Sequence, residues 1–184
     1  MNDADFVVYT DGSGIDVNVG ASVCIFKNNI LFNSFKFKLA SFNSVFQAEL
    51  AAINFAAGWV LENSYKINIF TDSLSSIEIL KKSSSKLNYI HQIKNNMFRA
   101  IGSVGLSWVK AHADIPGNKL ADQFAKAATT KGESLLLPAP YSYLKKFITT
   151  YILKNWQRDW EESKSGIRVK EFAPLADSTL LTHN

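Results

Sequence analysis

The chain has 184 residues, 47% hydrophobic and 12% aromatic, which suffices for one folded domain with a short appendage and excludes a disordered chain. No apolar run is long enough to span a membrane, and the opening MNDADF lacks the basic start and apolar centre of a signal peptide. An intracellular protein, nuclear or cytoplasmic and without a membrane partner, is therefore expected. The single cysteine, Cys24, lies in the strand-like GASVCIF, cannot form an internal disulfide and reads as a buried small hydrophobe; no zinc-type set of cysteines and histidines is present.

Residues 6–11, FVVYTD, read as a strand. Two more follow at 20–26 and 30–39, joined through Lys27-Asn28-Asn29 as a hairpin-type turn, so the chain opens with three antiparallel strands. From Ser44 the period changes: Phe46, Leu50, Ile53, Ala57 and Val60 recur at spacings of four and three, one face of a helix running to about Asn63, with Glu49 at the edge of that face. INIF (67–70) is a fourth strand, SLSSIEILKK a short helix opening at Ser73, and Asn88 to Ile101 a further helix. GLSWVKA gives a fifth strand, followed by the loop HADIPG and an alanine-rich helix from about Asn118 to Lys131.

A helix that crosses from strand three to strand four predicts an α/β fold: a five-stranded mixed sheet, its first three strands antiparallel, flanked by helices. Residues 1–137 are expected to form this domain. Residues 138–184 are expected to add a helical extension, PAPYSYLKKFITTYILKNWQRDWEES, with Trp156 and Trp160 one turn apart, and a polar tail expected to be poorly ordered.

The charge of +4 is mild, but its distribution is uneven. No acid occurs between Glu78 and Asp114, a stretch that carries Lys81, Lys82, Lys86, Lys94, Arg99 and Lys110 among Tyr89, Phe98 and Trp108. A second acid-free stretch, Val17 to Ala48, carries Lys27, Lys36 and Lys38. Solvated faces explain most such runs; the sharper reading is a surface that tracks phosphates and gains from counterion release. Trp108 and Phe98 fit strand and helix packing positions and are expected in the core rather than as stacking platforms.

Two apolar strand-like runs end on the same Thr-Asp pair, at Asp11 and, 61 positions later, at Asp72. If those strands are parallel neighbours, both acids sit at the carboxyl edge of one sheet, where α/β proteins build their sites, and the crossover helix brings Glu49 over them. Each acid alone has an ordinary reading: Asp11 as a turn former before Gly12, Asp72 as a helix cap, Glu49 as a surface acid. Held together they repel and raise one another's pKa unless a cation intervenes. Oxygen-only ligands favour Mg²⁺ or Mn²⁺ over zinc, and two such ions about 3.5–4 Å apart can clamp the attacking and leaving oxygens of a phosphoryl displacement.

With SWVKAHADIPGNKLADQFAKAA the pattern becomes specific. YTDGSG with Asp11, FQAELAAI with Glu49, FTDSLSSI with Asp72, and WVKAH through PGNKLADQFAK with His112 and Asp122 follow in order over about residues 6–131. The chain resembles the type 1 ribonuclease H family, especially the ribonuclease H domains of non-LTR retrotransposon polyproteins. That resemblance implies a ribonuclease H-like fold and hydrolysis of the RNA strand of RNA/DNA hybrids, with 5′-phosphate and 3′-hydroxyl products. It implies two Mg²⁺ ions, with Mn²⁺ as a substitute, on Asp11, Glu49, Asp72 and Asp122, and a reverse transcriptase domain in the same polyprotein as a neighbour. His112 would serve proton transfer or product release from a mobile loop. Gly12, Ser13, Gln47, Ser73 and Asn118 are the expected substrate contacts, because short polar groups suit a shallow minor groove lined by 2′-hydroxyls.

Two positions depart from the family pattern. Asp114 stands where the loop commonly has glycine, which would stiffen it and add charge near the site, and Lys119 stands where glutamate is usual. Neither is a metal ligand, so retained activity is expected. Three other readings compete: a catalytically silent hybrid-binding or connection domain, disfavoured by the presence of all four acids; an aspartate-nucleophile phosphatase, disfavoured because Ser13 stands where a second aspartate is needed; and a DNA-acting relative within the nuclease and integrase superfamily, disfavoured by the His112 loop and the GNKLAD helix.

Overall fold

The computed structural model describes residues 4–83, 88–111, 113–164, 166–172 and 174–175. His112, Lys86 and the tail from residue 176 lie outside the described residues. The chain divides into two compact units, Met1–Pro138 and Ala139–Asn184.

The first unit is built on β1 (Phe6–Ile15), β2 (Asn18–Lys27) and β3 (Ile30–Leu39), which pair antiparallel in succession. Asn28 and Asn29 turn the second hairpin with φ of 52° and 64°, the left-handed pair that a two-residue turn of matching twist requires and that asparagine tolerates. Helix α1 (Val45–Asn63) then carries the chain back to β4 (Ile67–Thr71), parallel to β1, and α2 (Leu74–Lys81) and α3 (Asn88–Arg99) lead to β5 (Val104–Trp108), parallel to β4. Helix α4 (Pro116–Lys131) follows, and β6 (Glu133–Ser134) adds two residues beside β3, so the order is β5-β4-β1-β2-β3-β6.

The expected five strands thus have a short sixth at the edge, made as the chain leaves α4 and pairs Glu133 with Phe37. A second difference bears on the site: β1 does not stop at Asp11 but continues four residues to Ile15, pairing with β2 to the turn. It is β4 that stops, at Thr71, so beyond Asp11 the sheet is notched and β1 keeps a partner on one side only.

Strand alternation assigns the two faces. Val8, Val19, Ala21, Val23, Ile25, Ile67 and Ile69 pack on Ala48, Ala52, Ala56 and Val60 of α1 in the main core, and Leu50 joins Ile90 and Ile93 in a second cluster that seats α3. The opposite face of β2 meets α4: the Ser22 hydroxyl donates to the Ala121 carbonyl at 2.7 Å, and Gly20 lies against the α4 backbone. Cys24 is fully buried, and burial pushes its thiol up to about 12, as suits an inert core residue.

Phe98 and Trp108, expected in the core, are instead 74% and 48% exposed. Trp108 ends the edge strand β5, and Phe98 sits in the last turn of α3 on its outer side, so neither has a layer above it.

The second unit holds α5 (Tyr141–Glu162) and α6 (Ile167–Phe172), with no buried residue in either. Gly166, with φ 71°, turns the chain between them, and Lys170 Nζ lies 5.5 Å from the centre of the Trp160 ring. Among the described residues no helix is long and apolar enough to cross a membrane.

A Cβ on Gly20 would meet the Ala125 carbonyl at 2.4 Å and the Thr129 nitrogen at 2.7 Å, both backbone atoms of α4, whereas one on Gly58 in α1 would meet nothing within 4 Å. Gly20→Ala is expected to destabilise the fold by about 1–3 kcal/mol through overpacking. Gly58→Ala is expected to stabilise it by about 0.5–1 kcal/mol through helix propensity. Urea midpoints moving in opposite directions at unchanged slope are the check.

Candidate active site

The parallel pairing of β1 with β4 sets Thr10 directly opposite Thr71, both fully buried, so the residues that follow, Asp11 and Asp72, emerge side by side at the notch. Glu49 comes from the second turn of α1. Its approach depends on Gly12, where a Cβ would lie 2.7 Å from the Glu49 nitrogen and 3.0 Å from the Val45 carbonyl oxygen. The start of α1 is fixed by a capping box: the Gln47 N–H donates to the Ser44 hydroxyl and the Ser44 N–H to Gln47 Oε1, each at 3.2 Å, while Gln47 Nε2 donates to the Pro138 carbonyl at 3.0 Å.

Asp11, Glu49 and Asp72 each offer a carboxylate oxygen, and these atoms lie within 4.8 Å of one another. Asp11 and Glu49 are buried, and Asp72 is half-buried. Burial, then the charges of Asp72 and Asp122, push Asp11 up to about 7, against lowering by Lys126 and the Gly12 N–H. Burial, then Asp11 and Asp72, push Glu49 up to about 9, against the Gly12 N–H and the Thr71 hydroxyl. Glu49 Oε2 is buried with no hydrogen-bond partner. An orphaned carboxylate oxygen in an oxygen-only, mutually repelling set fits a hard divalent cation, which would supply the missing partner and remove the repulsion together.

The surrounding groups orient this set. Asn118, 5% exposed, donates from Nδ2 to Asp72 Oδ2 at 3.1 Å, and the Trp108 indole N–H donates to the Asp72 carbonyl at 3.1 Å. Thr71 Oγ1 also accepts from the Ser73 N–H at 3.2 Å. Asp122 arrives through α4: Asp11 pairs with Ser22, and Ser22 holds the carbonyl of Ala121, the residue before Asp122. Its carboxylate stands outside the close trio, ion-paired to Lys126 at 2.7 Å, and lines a cavity of about 200 Å³ with Asp72, Asp114, Asn118, Lys119 and Lys126.

Of the other residues singled out from sequence, Gly12 touches Glu49 and Ser13 is buried in the next position of β1. Gln47 is engaged in the cap of α1, and the hydroxyl of Ser73, the N-cap residue of α2, lies 2.8 Å from that of Ser76. His112 lies outside the described residues. Asp114, at the glycine position of the family loop, adopts φ 51°, a left-handed conformation that aspartate tolerates better than most residues. Thr71, Trp108 and Lys126 also belong to the surroundings of the site; among them the sequence marks Thr71 alone, through the repeated Thr-Asp pair.

The raised carboxylates predict an unusual pH dependence without metal. Between the ordinary value of 4.5 and about 9 the folded chain keeps a proton on Glu49 that the unfolded chain has lost, so the native state binds more protons and stability falls as pH rises through that window. Thermal midpoints in EDTA should therefore decline from about pH 5 to about pH 9; Glu49→Gln should remove the part of the decline above about pH 7 and leave the part that Asp11 contributes below it, and saturating Mn²⁺ should flatten both. A flat profile for the metal-free parent chain would refute the buried, protonated Glu49.

The RNase H family model matches residues 3–130. No curated protein matches the chain. Among solved structures, the prototype foamy virus RNase H domain is 21% identical, with 69% of this chain and 95% of that one covered and a TM-score of 0.60. The foamy viral protease-reverse transcriptase in complex with RNA/DNA hybrid is 18% identical, with 70% and 20% covered and a TM-score of 0.60. RNase H1 of the halophilic archaeon Halobacterium salinarum is 14% identical, with 67% and 96% covered and a TM-score of 0.54. The match to the native prototype foamy virus protease-reverse transcriptase takes in 21% of that longer protein. With a family match over most of its length and the same mixed sheet and flanking helices, the chain belongs to the ribonuclease H family.

Proposed function

We propose that the chain hydrolyses the RNA strand of RNA/DNA hybrids by a two-metal-ion mechanism, leaving 5′-phosphate and 3′-hydroxyl ends. The observation that carries this reading is the trio of carboxylate oxygens within 4.8 Å, one of them buried and unpartnered. Asp11, Glu49, Asp72 and Asp122 would hold the ions, Mg²⁺ with Mn²⁺ as a substitute. When bound, such ions activate water for attack and neutralise charge on the leaving oxygen.

The chain's own residues prepare that chemistry. Thr71 and the Gly12 N–H donate to Glu49, and Asn118 fixes one oxygen of Asp72, so the set is oriented before any cation arrives. Gly12 and Ser13 beside Asp11, with Ser73 beside Asp72, would supply backbone and short polar contacts to ribose or phosphate. His112 would serve proton transfer or product release. Residues 1–137 are the catalytic unit in this reading, residues 138–184 an extension, and a reverse transcriptase domain of a retroelement polyprotein its neighbour.

The test is incubation of the chain with labelled RNA/DNA hybrid, duplex RNA and duplex DNA, in Mg²⁺ or EDTA, beside Asp11→Asn. Cleavage confined to the RNA strand of the hybrid is expected, abolished by EDTA and reduced at least about a hundredfold by Asp11→Asn. Binding of intact hybrid by a folded, metal-loaded chain would overturn hydrolysis in favour of a silent hybrid-binding domain.

A further inference from the structure

Among the described residues, Asp122 is the acid of the site whose carboxylate is ion-paired, to Lys126 at 2.7 Å. The two stand one helical turn apart, acid first, the order in which such pairs are favourable on a helix. The ammonium also acts beyond its partner: Lys126 lowers the pKa of Asp11, while Asp122 and Asp11 both raise that of Lys126. It therefore stands within the field of the acid that belongs to the trio and the acid that does not.

The pair is weak enough to break. The Lys126 and Asp122 side chains are 51% and 30% exposed, and ion pairs of that kind are screened by solvent and salt. A divalent ion brings twice the charge of an ammonium and no side-chain entropy to lose. No such competitor is ion-paired to Asp11, Glu49 or Asp72 among the described residues, where Glu49 Oε2 is unpartnered.

From this asymmetry we propose that Lys126 is a tethered competitor for the cation that Asp122 would hold. Divalent ions then load in order: first at Asp11, Glu49 and Asp72, then at Asp122 as the ammonium is displaced. This rests on the metal reading of the site. Lys119 is the natural comparison, since it lines the same cavity and carries the same charge without an ion pair to Asp122.

The test is a Mn²⁺ titration of the full folded chain at fixed ionic strength, following free Mn²⁺ by its EPR signal, for the parent, Lys126→Met, Lys126→Arg and Lys119→Met. Circular dichroism checks that each is folded. Two classes of site are expected in the parent; Lys126→Met should tighten the weaker class about two- to fivefold and leave the tighter one unchanged. Lys126→Arg should behave as the parent, and Lys119→Met should leave the weaker class where it was. An unchanged weaker class in Lys126→Met overturns the proposal, as does equal tightening by Lys119→Met, which would reduce the effect to general charge. Absence of any tight class in the folded parent would remove the metal reading itself, and the ordered loading with it.

Discussion

The site is organised by repulsion. Three carboxylates with oxygens inside 4.8 Å, two of them buried, cannot all be ionised without help, and the backbone gives them no room to separate. The pairing of Thr10 with Thr71 fixes two of them, and the contact of Gly12 with α1 fixes the third. The protein does supply donors to the charged forms, from the Gly12 N–H, the Thr71 hydroxyl and Asn118, yet Asp11 and Glu49 still stand well above the ordinary carboxylate range. A purely structural cluster would be completed by more donors or replaced by apolar residues, because a half-satisfied buried network is less stable than either. Leaving Glu49 Oε2 open makes sense if the last partner comes from solution.

The fold's local irregularities serve that arrangement. A regular sheet would continue β4 alongside β1 past Asp11 and cover the acid with another strand; stopping β4 at Thr71 opens the notch, and β2 alone keeps β1 straight. On the other face, α4 is drawn onto β2 by the Ser22–Ala121 hydrogen bond and by Gly20, and the same close approach carries Asp122 towards Asp11. The stability of the sheet and the geometry of the site therefore share their contacts. Substitutions at Gly12 or Ser22 act on both, while one at Gly58, facing open space, acts on stability through helix propensity and leaves the site untouched.

Much of this was legible because helices and strands leave different periods. The order of elements, the Asn28-Asn29 hairpin and the two strands that end in Thr-Asp follow from spacing alone, while the parallel pairing of those two strands enters the sequence reading only as a condition that the structure meets. What spacing does not carry is lateral position in the sheet. Trp108 reads as a core residue because its strand looks like any other; that β5 is an edge strand is decided by pairing far along the chain, and its indole is then free to hold the Asp72 carbonyl. β1 is longer than its sequence suggests for a related reason: Gly-Ser-Gly usually signals a turn, but here the glycines are small to admit α1 and the strand runs through them. Lys126 was invisible because an acid and a lysine four apart on a helix are ordinary; the pair acquires meaning only from the trio beside it.

Asp114 illustrates how a departure from a family pattern can be conservative in one respect and not in another. The glycine usual at this place suggests a backbone conformation that most side chains avoid, and φ of 51° at Asp114 is of that kind. Aspartate and asparagine are the residues that tolerate it, at modest cost, so the loop path is kept while the side chain is not. What changes is charge: Asp114 lines the cavity that Asp72 and Asp122 also line, and Lys119 and Lys126 line it as well. Relative to the family pattern, an acid gained at Asp114 is accompanied by an acid replaced with a base at Lys119. Both changes fall on the lining of the cavity that Asp72 and Asp122 share and neither on Asp11 or Glu49, so the departures alter the charge at the exposed side of the cluster and leave its buried carboxylates as they are.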